Sequence, residues 1–197
     1  MTSPDTCQGP NPKSIEPLVV VSGQPRSGTS LMMKILWKSG FHIISDEQMS
    51  FELKETTRLN EGNGWIMNLP PKSVIKVLYP HVMHLPVSRE YKVIWMKRDP
   101  KEQAKSQRNF AGHSKLWVLT GAKNIRERER VFPGILARLG ASVLQLRFET
   151  LIHSPDIANR ELVRFLELDS PLDMSSVVPR RTEWSSSRPI GTLERRV

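Results

Sequence analysis

One stretch near the start of the chain constrains the fold more than any other: residues 19–36, with the sequence VVVSGQPRSGTSLMMKIL. Its β-branched beginning is typical of a buried strand, and the apolar spacing after Thr29 is typical of a helix. The turn between them contains Gly23 and Gly28. A strand, a glycine-containing turn and a helix N-terminus bring backbone N–H groups and the positive end of a helix dipole to one point. The stretch therefore predicts an anion cradle for a phosphate or sulfate group.

Strand-like and helix-like segments alternate along the rest of the chain, which predicts an α/β fold. We expect a P-loop-type, mainly parallel sheet with helices on both faces, in a single domain. The expected strands cover residues 18–22, 41–44, 73–78, 91–96 and 142–148. The expected helices cover residues 29–39, 100–110, 124–139 (broken at Pro133-Gly134) and 155–167, with a helical turn near 48–57 and a loop over 111–122.

The ends of the chain differ in composition from its middle. Residues 1–16 predict a flexible N-terminal tail, residues 17–170 the P-loop domain, and residues 171–197 an extension rich in Pro, Ser and Arg. No apolar run approaches the roughly 20 residues that cross a bilayer, and the first residues lack an apolar signal core. The only cysteine, Cys7, excludes an intrachain disulfide. We therefore expect a cytoplasmic protein with no membrane partner.

The chain is strongly basic, with a net charge of +9 and an isoelectric point near 10.0. Such a balance fits either nucleic-acid binding or a site for a small polyanion. The sequence has no zinc-finger spacing, no RNA-recognition aromatic motif and no block of five like charges. It therefore favours the small polyanion and disfavours nucleic acid.

The turn differs from a nucleoside-triphosphate loop, G-x-x-x-x-G-K-[ST], at one position. Gly23 and Gly28 have the right spacing and Ser30 holds the hydroxyl position, but Thr29 replaces the lysine. The only cation in the turn is Arg26. A kinase or ATPase without that lysine lacks the charge that organises a triphosphate. The turn thus suits a phosphate-like group, with a small-molecule kinase as the alternative enzyme.

Two motifs in order resemble those of sulfotransferases that use 3′-phosphoadenosine-5′-phosphosulfate (PAPS). Residues 25–30, PRSGTS, resemble the loop that holds the 5′-phosphosulfate in that family. Residues 93–106, VIWMKRDPKEQAKS, resemble the 3′-phosphate segment, in which a strand ends in Arg and a helix Ser follows eight residues later. Residues 148–168 are similar to the family's late strand–helix stretch. The resemblance covers residues 18–168 and is closest to compact bacterial-type members.

The resemblance implies roles for individual residues. The 5′-phosphate would be held by Arg26, Ser27, Gly28, Thr29 and Ser30, with Arg26 also neutralising the leaving phosphate. Arg98 and Ser106 would bind the 3′-phosphate, since a guanidinium can fork onto two oxygens. Lys76 would assist the leaving oxygen, in the segment where longer sulfotransferases carry a Lys before a catalytic His; here Leu78 stands in place of that His. An ordinary edge-strand lysine is the alternative for Lys76.

The acceptor needs a general base, and the sequence leaves its identity open. Protein-tyrosine sulfotransferases carry a Glu twenty residues after the loop cation, and the same count from Arg26 reaches Asp46, with Glu47 beside it. Asp46 could equally cap a helix over 47–57. His81 and His84 are further alternatives.

The sequence thus predicts a sulfotransferase that moves a sulfuryl group from PAPS to a hydroxyl or amine of a small-molecule or glycan acceptor. A metal is not required if cationic side chains neutralise the leaving group. A non-catalytic, basic nucleotide- or nucleic-acid-binding protein is the alternative outside enzymes. Arg180, Arg181 and Arg188 either close over the 3′-phosphate or belong to a solvated tail.

Overall fold

The computed structural model describes residues 17–46, 51–112 and 117–178. Four residues singled out from the sequence lie outside these ranges, namely Glu47, Arg180, Arg181 and Arg188. Their predicted roles stay predictions, as does the predicted tail over residues 1–16.

A five-stranded, all-parallel sheet forms the centre of the molecule, in the order β2-β3-β1-β4-β5. The strands are Leu18–Gly23 (β1), His42–Ile44 (β2), Ser73–Leu78 (β3), Tyr91–Lys97 (β4) and Ser142–Arg147 (β5). β1 is the middle strand and is buried along its whole length. Because the strands are parallel, all their carboxyl ends meet at one edge of the sheet, where open α/β folds bind ligands.

Helices connect the strands. They are Thr29–Lys38 (α1), Pro100–Ala111 (α2), Trp117–Leu139 (α3), Phe148–His153 (α4) and Pro155–Leu166 (α5), and short 3-10 helices cover Lys54–Arg58, Gly64–Asn68 and His81–His84. Within the described ranges, no helix has both the length and the apolar composition needed to cross a bilayer.

The core lies on both faces of the sheet because successive strand residues point to opposite sides. Val19 and Val21 join a cluster that includes residues of α1, α4 and α5. Leu18 and Val20 join a second cluster, to which α3 contributes Phe132, Leu136 and Leu139. The predicted fold class, a parallel sheet with helices on both faces, is confirmed.

The prediction for α3 was wrong in two respects. The helix begins at Trp117, inside the expected loop, and continues through Pro133 to Leu139 without a break. A proline inside a helix removes one hydrogen bond and costs about 3 kcal/mol. Here its neighbours offset that cost: Phe132 is buried and stacks on the Trp95 indole of β4, and Leu136 is buried one turn later.

Part of the predicted C-terminal extension packs on the domain. Leu172, Met174, Val177 and Val178 are buried in the same cluster as α1 and α5. The Asn159 side chain of α5 both donates to the backbone carbonyl of Leu172 and accepts from its N–H, each at 3.0 Å. Residues 171–178 therefore continue the core, whichever side of the predicted boundary they are assigned to.

Candidate active site

The turn between β1 and α1 presents an open helix N-terminus. Gly28 is the N-cap of α1, has a left-handed backbone with φ of 105°, and brings no side chain to the helix end. The first turn of α1 carries no acidic residue that would compensate the helix dipole. The hydroxyl of Ser27 is buried and has no hydrogen-bond partner among the described residues. The turn thus places a buried hydroxyl without a described partner next to a helix N-terminus that carries no compensating acid.

A phenylalanine ring explains why position 28 must be glycine. A Cβ at Gly28 would lie 2.5 Å from Cδ2 of Phe148, the first residue of α4. The guanidinium carbon of Arg98 lies 4.6 Å from the centroid of the same ring. Phe148 therefore contacts both the loop and the cation that follows β4, and it fixes their separation.

Arg26 is held against α2. Its Nε donates a hydrogen bond to Ser106 Oγ at 3.2 Å, and its guanidinium carbon lies 5.1 Å from the Phe110 ring centroid. The Phe110 side chain is 78% exposed. The structure thus brings together the cation predicted for the 5′-phosphate and the hydroxyl predicted for the 3′-phosphate.

Arg98 reaches the same turn from the end of β4. Its Nη1 donates to the carbonyl oxygen of Arg26 at 3.4 Å, which is a neutral acceptor. Burial lowers the pKa of Arg98 from its ordinary value, and the nearby carboxylate of Glu149 opposes that shift. The guanidinium nevertheless stays protonated at physiological pH, as arginines in proteins do. It is a partly desolvated cation beside the open helix end.

Lys76, a residue of β3, contacts the first turn of α1 from the side away from α2. β3 lies between β2 and β1, so the interpretation of Lys76 as an edge-strand lysine is wrong. Its side chain is only 3% exposed, and its Nζ donates to Ser30 Oγ at 3.2 Å. The same Nζ lies 3.1 Å from Oε1 of Glu52. A buried ammonium is thereby held at the N-terminus of α1.

Comparison with known proteins identifies the fold. No protein-family profile and no curated protein sequence matches the chain. Among solved structures, mouse sulfotransferase SULT7A1 in complex with PAP matches with a TM-score of 0.53 and 16% identity, over 78% of this chain and 59% of that one. The chain has the sulfotransferase fold. The sulfotransferase domain from the curacin biosynthetic pathway is a second match, with a TM-score of 0.46 and 13% identity, over 79% of this chain and 75% of that domain.

In this version of the sulfotransferase fold, Asp46 closes a loop by hydrogen bonds to the backbone of residues 52–54. Its Oδ2 accepts a hydrogen bond from the backbone N–H of Lys54 at 2.8 Å, at the start of the 3-10 helix Lys54–Arg58. Its own N–H donates to the carbonyl of Glu52 at 3.0 Å. The helix over 47–57 that Asp46 was expected to cap does not form in its described part, because residues 51–53 are not helical and the 3-10 helix has Leu53 as its N-cap. A catalytic role for Asp46 stays a prediction.

Two glutamines of α2 support the loop and were missed in the sequence. Gln103 and Gln107 each donate a side-chain N–H to the carbonyl of Pro25, at 2.9 and 2.7 Å. The spacing of residues 103, 106, 107 and 110 is a detectable signal, because i, i+3, i+4 and i+7 share one helix face. That face of α2 was marked in the sequence only by Ser106.

Glu52 is the second functional candidate that sequence reasoning missed. No local motif marks it, and only the folded chain places it at Lys76. In the ranges 17–46, 51–112 and 117–178, no three His, Cys, Asp or Glu side chains come together as a potential metal site. Within the described ranges, the site combines the cations Arg26, Lys76 and Arg98 with serine hydroxyls and the carboxylate of Glu52.

Proposed function

We propose that this chain transfers a sulfuryl group from PAPS to a hydroxyl or amine of a small-molecule or glycan acceptor. The observation that carries the proposal is the contact between Lys76 Nζ and Ser30 Oγ at 3.2 Å. In a triphosphate loop, the hydroxyl at this position binds Mg²⁺. An ammonium in contact with that hydroxyl supplies positive charge there directly and opposes the approach of a metal ion. This arrangement favours a metal-independent sulfuryl transfer over a kinase reaction.

The reaction needs positive charge where the leaving oxygen develops negative charge. An acceptor oxygen or nitrogen forms a bond to sulfur, the bond from sulfur to the bridging oxygen of the 5′-phosphate breaks, and 3′-phosphoadenosine-5′-phosphate (PAP) leaves. Arg26 and Lys76 are the cations at the turn that would neutralise the 5′-phosphate as this happens. Fixed charges in a partly dehydrated site stabilise a transition state far better than charges in water.

The 3′-phosphate would be bound on the α2 side. Arg98 offers a fork of donors, and its present acceptor is a single carbonyl at 3.4 Å, a long bond that a phosphate would readily replace. Ser106 Oγ accepts from Arg26 Nε, so its own proton is left to donate to a phosphate oxygen. Mouse sulfotransferase SULT7A1, which has the same fold, forms a complex with PAP, and this supports the choice of nucleotide.

Isothermal titration calorimetry with PAP and with ATP–Mg²⁺ tests the proposal. We expect PAP to bind, with an affinity that EDTA does not change, and ATP–Mg²⁺ to bind more weakly. Tighter binding of ATP that depends on Mg²⁺ would instead support the kinase. A chain that ignores both nucleotides but binds DNA or RNA, with an affinity that falls steeply with salt, would be the non-catalytic alternative. A cytoplasmic location stays a prediction from composition.

A further inference from the structure

We infer that Glu52 is the general base that removes the proton from the acceptor. The inference rests on the proposed sulfuryl transfer and adds a catalytic residue to it. It starts from one contact, the distance of 3.1 Å between Glu52 Oε1 and Lys76 Nζ. Because Lys76 also touches Ser30, the carboxylate lies two hydrogen-bond lengths from the loop that would hold the 5′-phosphosulfate.

The surroundings of Glu52 suit a group that exchanges protons with a substrate. Its side chain is 52% exposed, whereas that of its partner Lys76 is 3% exposed. The ion pair thus joins a buried cation to a carboxylate that reaches the surface. An acceptor that approaches from solvent can contact the carboxylate. The proton that the acceptor gives up can then pass from the carboxylate to water.

The backbone on either side fixes Glu52 in place. Phe51 and Leu53 are 4% and 8% exposed, so the chain is anchored in the core immediately before and after Glu52. The carbonyl of Glu52 accepts the N–H of Asp46, and the Asp46 carboxylate in turn accepts the N–H of Lys54. A base gains rate from such fixed placement because the reacting groups need no further ordering.

Two other carboxylates in the described part of the chain near the loop, Asp46 and Glu149, accept backbone hydrogen bonds. Asp46 Oδ2 accepts the N–H of Lys54. Glu149 Oε1 accepts the N–H of Asp99 at 2.8 Å, on the β4–β5 side of the loop. Among the described residues, Glu52 is the carboxylate that pairs with a cation in contact with the helix N-terminus.

The step balances without any further reactant. The acceptor O–H passes its proton to a Glu52 carboxylate oxygen while its oxygen bonds to sulfur, and the bond between sulfur and the phosphate oxygen breaks. The electron pair of that bond stays on the phosphate, beside Lys76. Glu52 then returns the proton to solvent, and both the sulfated acceptor and PAP leave.

The test uses water as the acceptor, so the natural acceptor need not be known. Sulfate released from PAPS is measured for the wild-type chain and for Glu52→Gln, which keeps the size of the side chain but not the base. We expect a loss of about 100-fold, the lower end for general-base catalysis. PAP affinity, measured by calorimetry, should stay within a factor of about three, because the removed group is not a nucleotide ligand.

Two further variants make the result specific. Glu55→Gln removes an exposed carboxylate from the 3-10 helix Lys54–Arg58, which follows Glu52 in the chain, and should leave the rate unchanged. Glu52→Asp keeps a carboxylate on a shorter side chain and should recover part of the rate.

Each failure has its own signature. A chain that binds no PAP contradicts the proposed function itself. A chain that binds PAP but releases sulfate from PAPS no faster than buffer contradicts the proposed transfer, and with it the role of Glu52. A Glu52→Gln variant at the wild-type rate overturns the inference about Glu52 alone. Equal losses of rate, PAP affinity and melting temperature in Glu52→Gln would mean that the ion pair only supports the fold. Loss of rate in Asp46→Asn but not in Glu52→Gln would transfer the role to Asp46.

Discussion

The two sides of the β1–α1 turn are built in different ways. On the α2 side, Arg26, Arg98 and the two glutamines Gln103 and Gln107 make hydrogen bonds to neutral groups, a serine hydroxyl or backbone carbonyls. On the β3 side, Lys76 pairs with the charged carboxylate of Glu52. Neutral partners leave the arginine charges available to bind a polyanion, while an ion pair holds a group that can accept a proton. If the proposed function is right, the contrast predicts that one side contributes mainly to nucleotide binding and the other mainly to the chemical step.

Lys76→Met should have the largest effect, and it tests the β3 side. Methionine keeps much of the buried stem but removes the ammonium beside Ser30, so the leaving oxygen loses a fixed donor. Removal of one such donor costs about 100- to 1,000-fold in rate. We expect a loss of that size in sulfate release from PAPS, with a much smaller change in PAP affinity.

Lys92→Met is the matched control for Lys76→Met. Lys92 is also a largely buried strand lysine in an ion pair, with Glu167 at 3.0 Å, but it lies near the opposite end of the sheet. The Lys92→Met variant should have a lower melting temperature but should release sulfate from PAPS at the wild-type rate. If both variants lost PAP affinity and rate to the same degree, the separation of binding from chemistry would be wrong.

Most of the sheet could be predicted because strand residues carry their signal locally. The β-branched runs at residues 18–22 and 73–78 were placed correctly to within one residue. The α3 prediction failed because Pro133 and Gly134 are strong local signals, while the burial of Phe132 against Trp95 is a contact between distant segments. Tertiary packing overrode the local preference.

The candidate site, like the fold, has parts that could be predicted from local sequence and parts that could not. The α2 side was predictable because Arg98 and Ser106 belong to one continuous segment with a readable spacing. The position of Glu52 could not be predicted. Residues 46–55 contain four carboxylates, and no local signal shows which of them forms an ion pair with Lys76. The selection is made by loop closure between Asp46 and Lys54 and by burial of Phe51.

Arg98→Ala should give the second-largest effect, on binding rather than on chemistry. Hydrogen bonds to charged groups contribute about 1.5–3 kcal/mol, so PAP should bind roughly 10- to 100-fold more weakly. Adenosine 5′-phosphate, which lacks the 3′-phosphate, should lose little affinity. Calorimetry with both nucleotides measures the difference.

A second arginine variant shows whether the loss of PAP affinity in Arg98→Ala is specific to Arg98. Arg160→Ala removes an exposed arginine of α5 and should change neither affinity. An equal loss for PAP and adenosine 5′-phosphate in Arg98→Ala would mean that the guanidinium only supports the loop through Phe148 and the Arg26 carbonyl.

The smallest effect should come from the two glutamines, which test whether the α2 side is organised before the nucleotide arrives. Gln103→Met and Gln107→Met each leave the carbonyl of Pro25 with one donor, so each should weaken PAP binding by about two- to fivefold, the size of one neutral hydrogen bond. Gln103 is 1% exposed and Gln107 is more accessible, so the first substitution should cost more. The double variant leaves the carbonyl without either donor and should lose more than the two single losses combined, as expected for groups that share one partner. Strict additivity, measured by PAP calorimetry on all four chains, would mean that the glutamines act independently and that the loop does not depend on α2 for its shape.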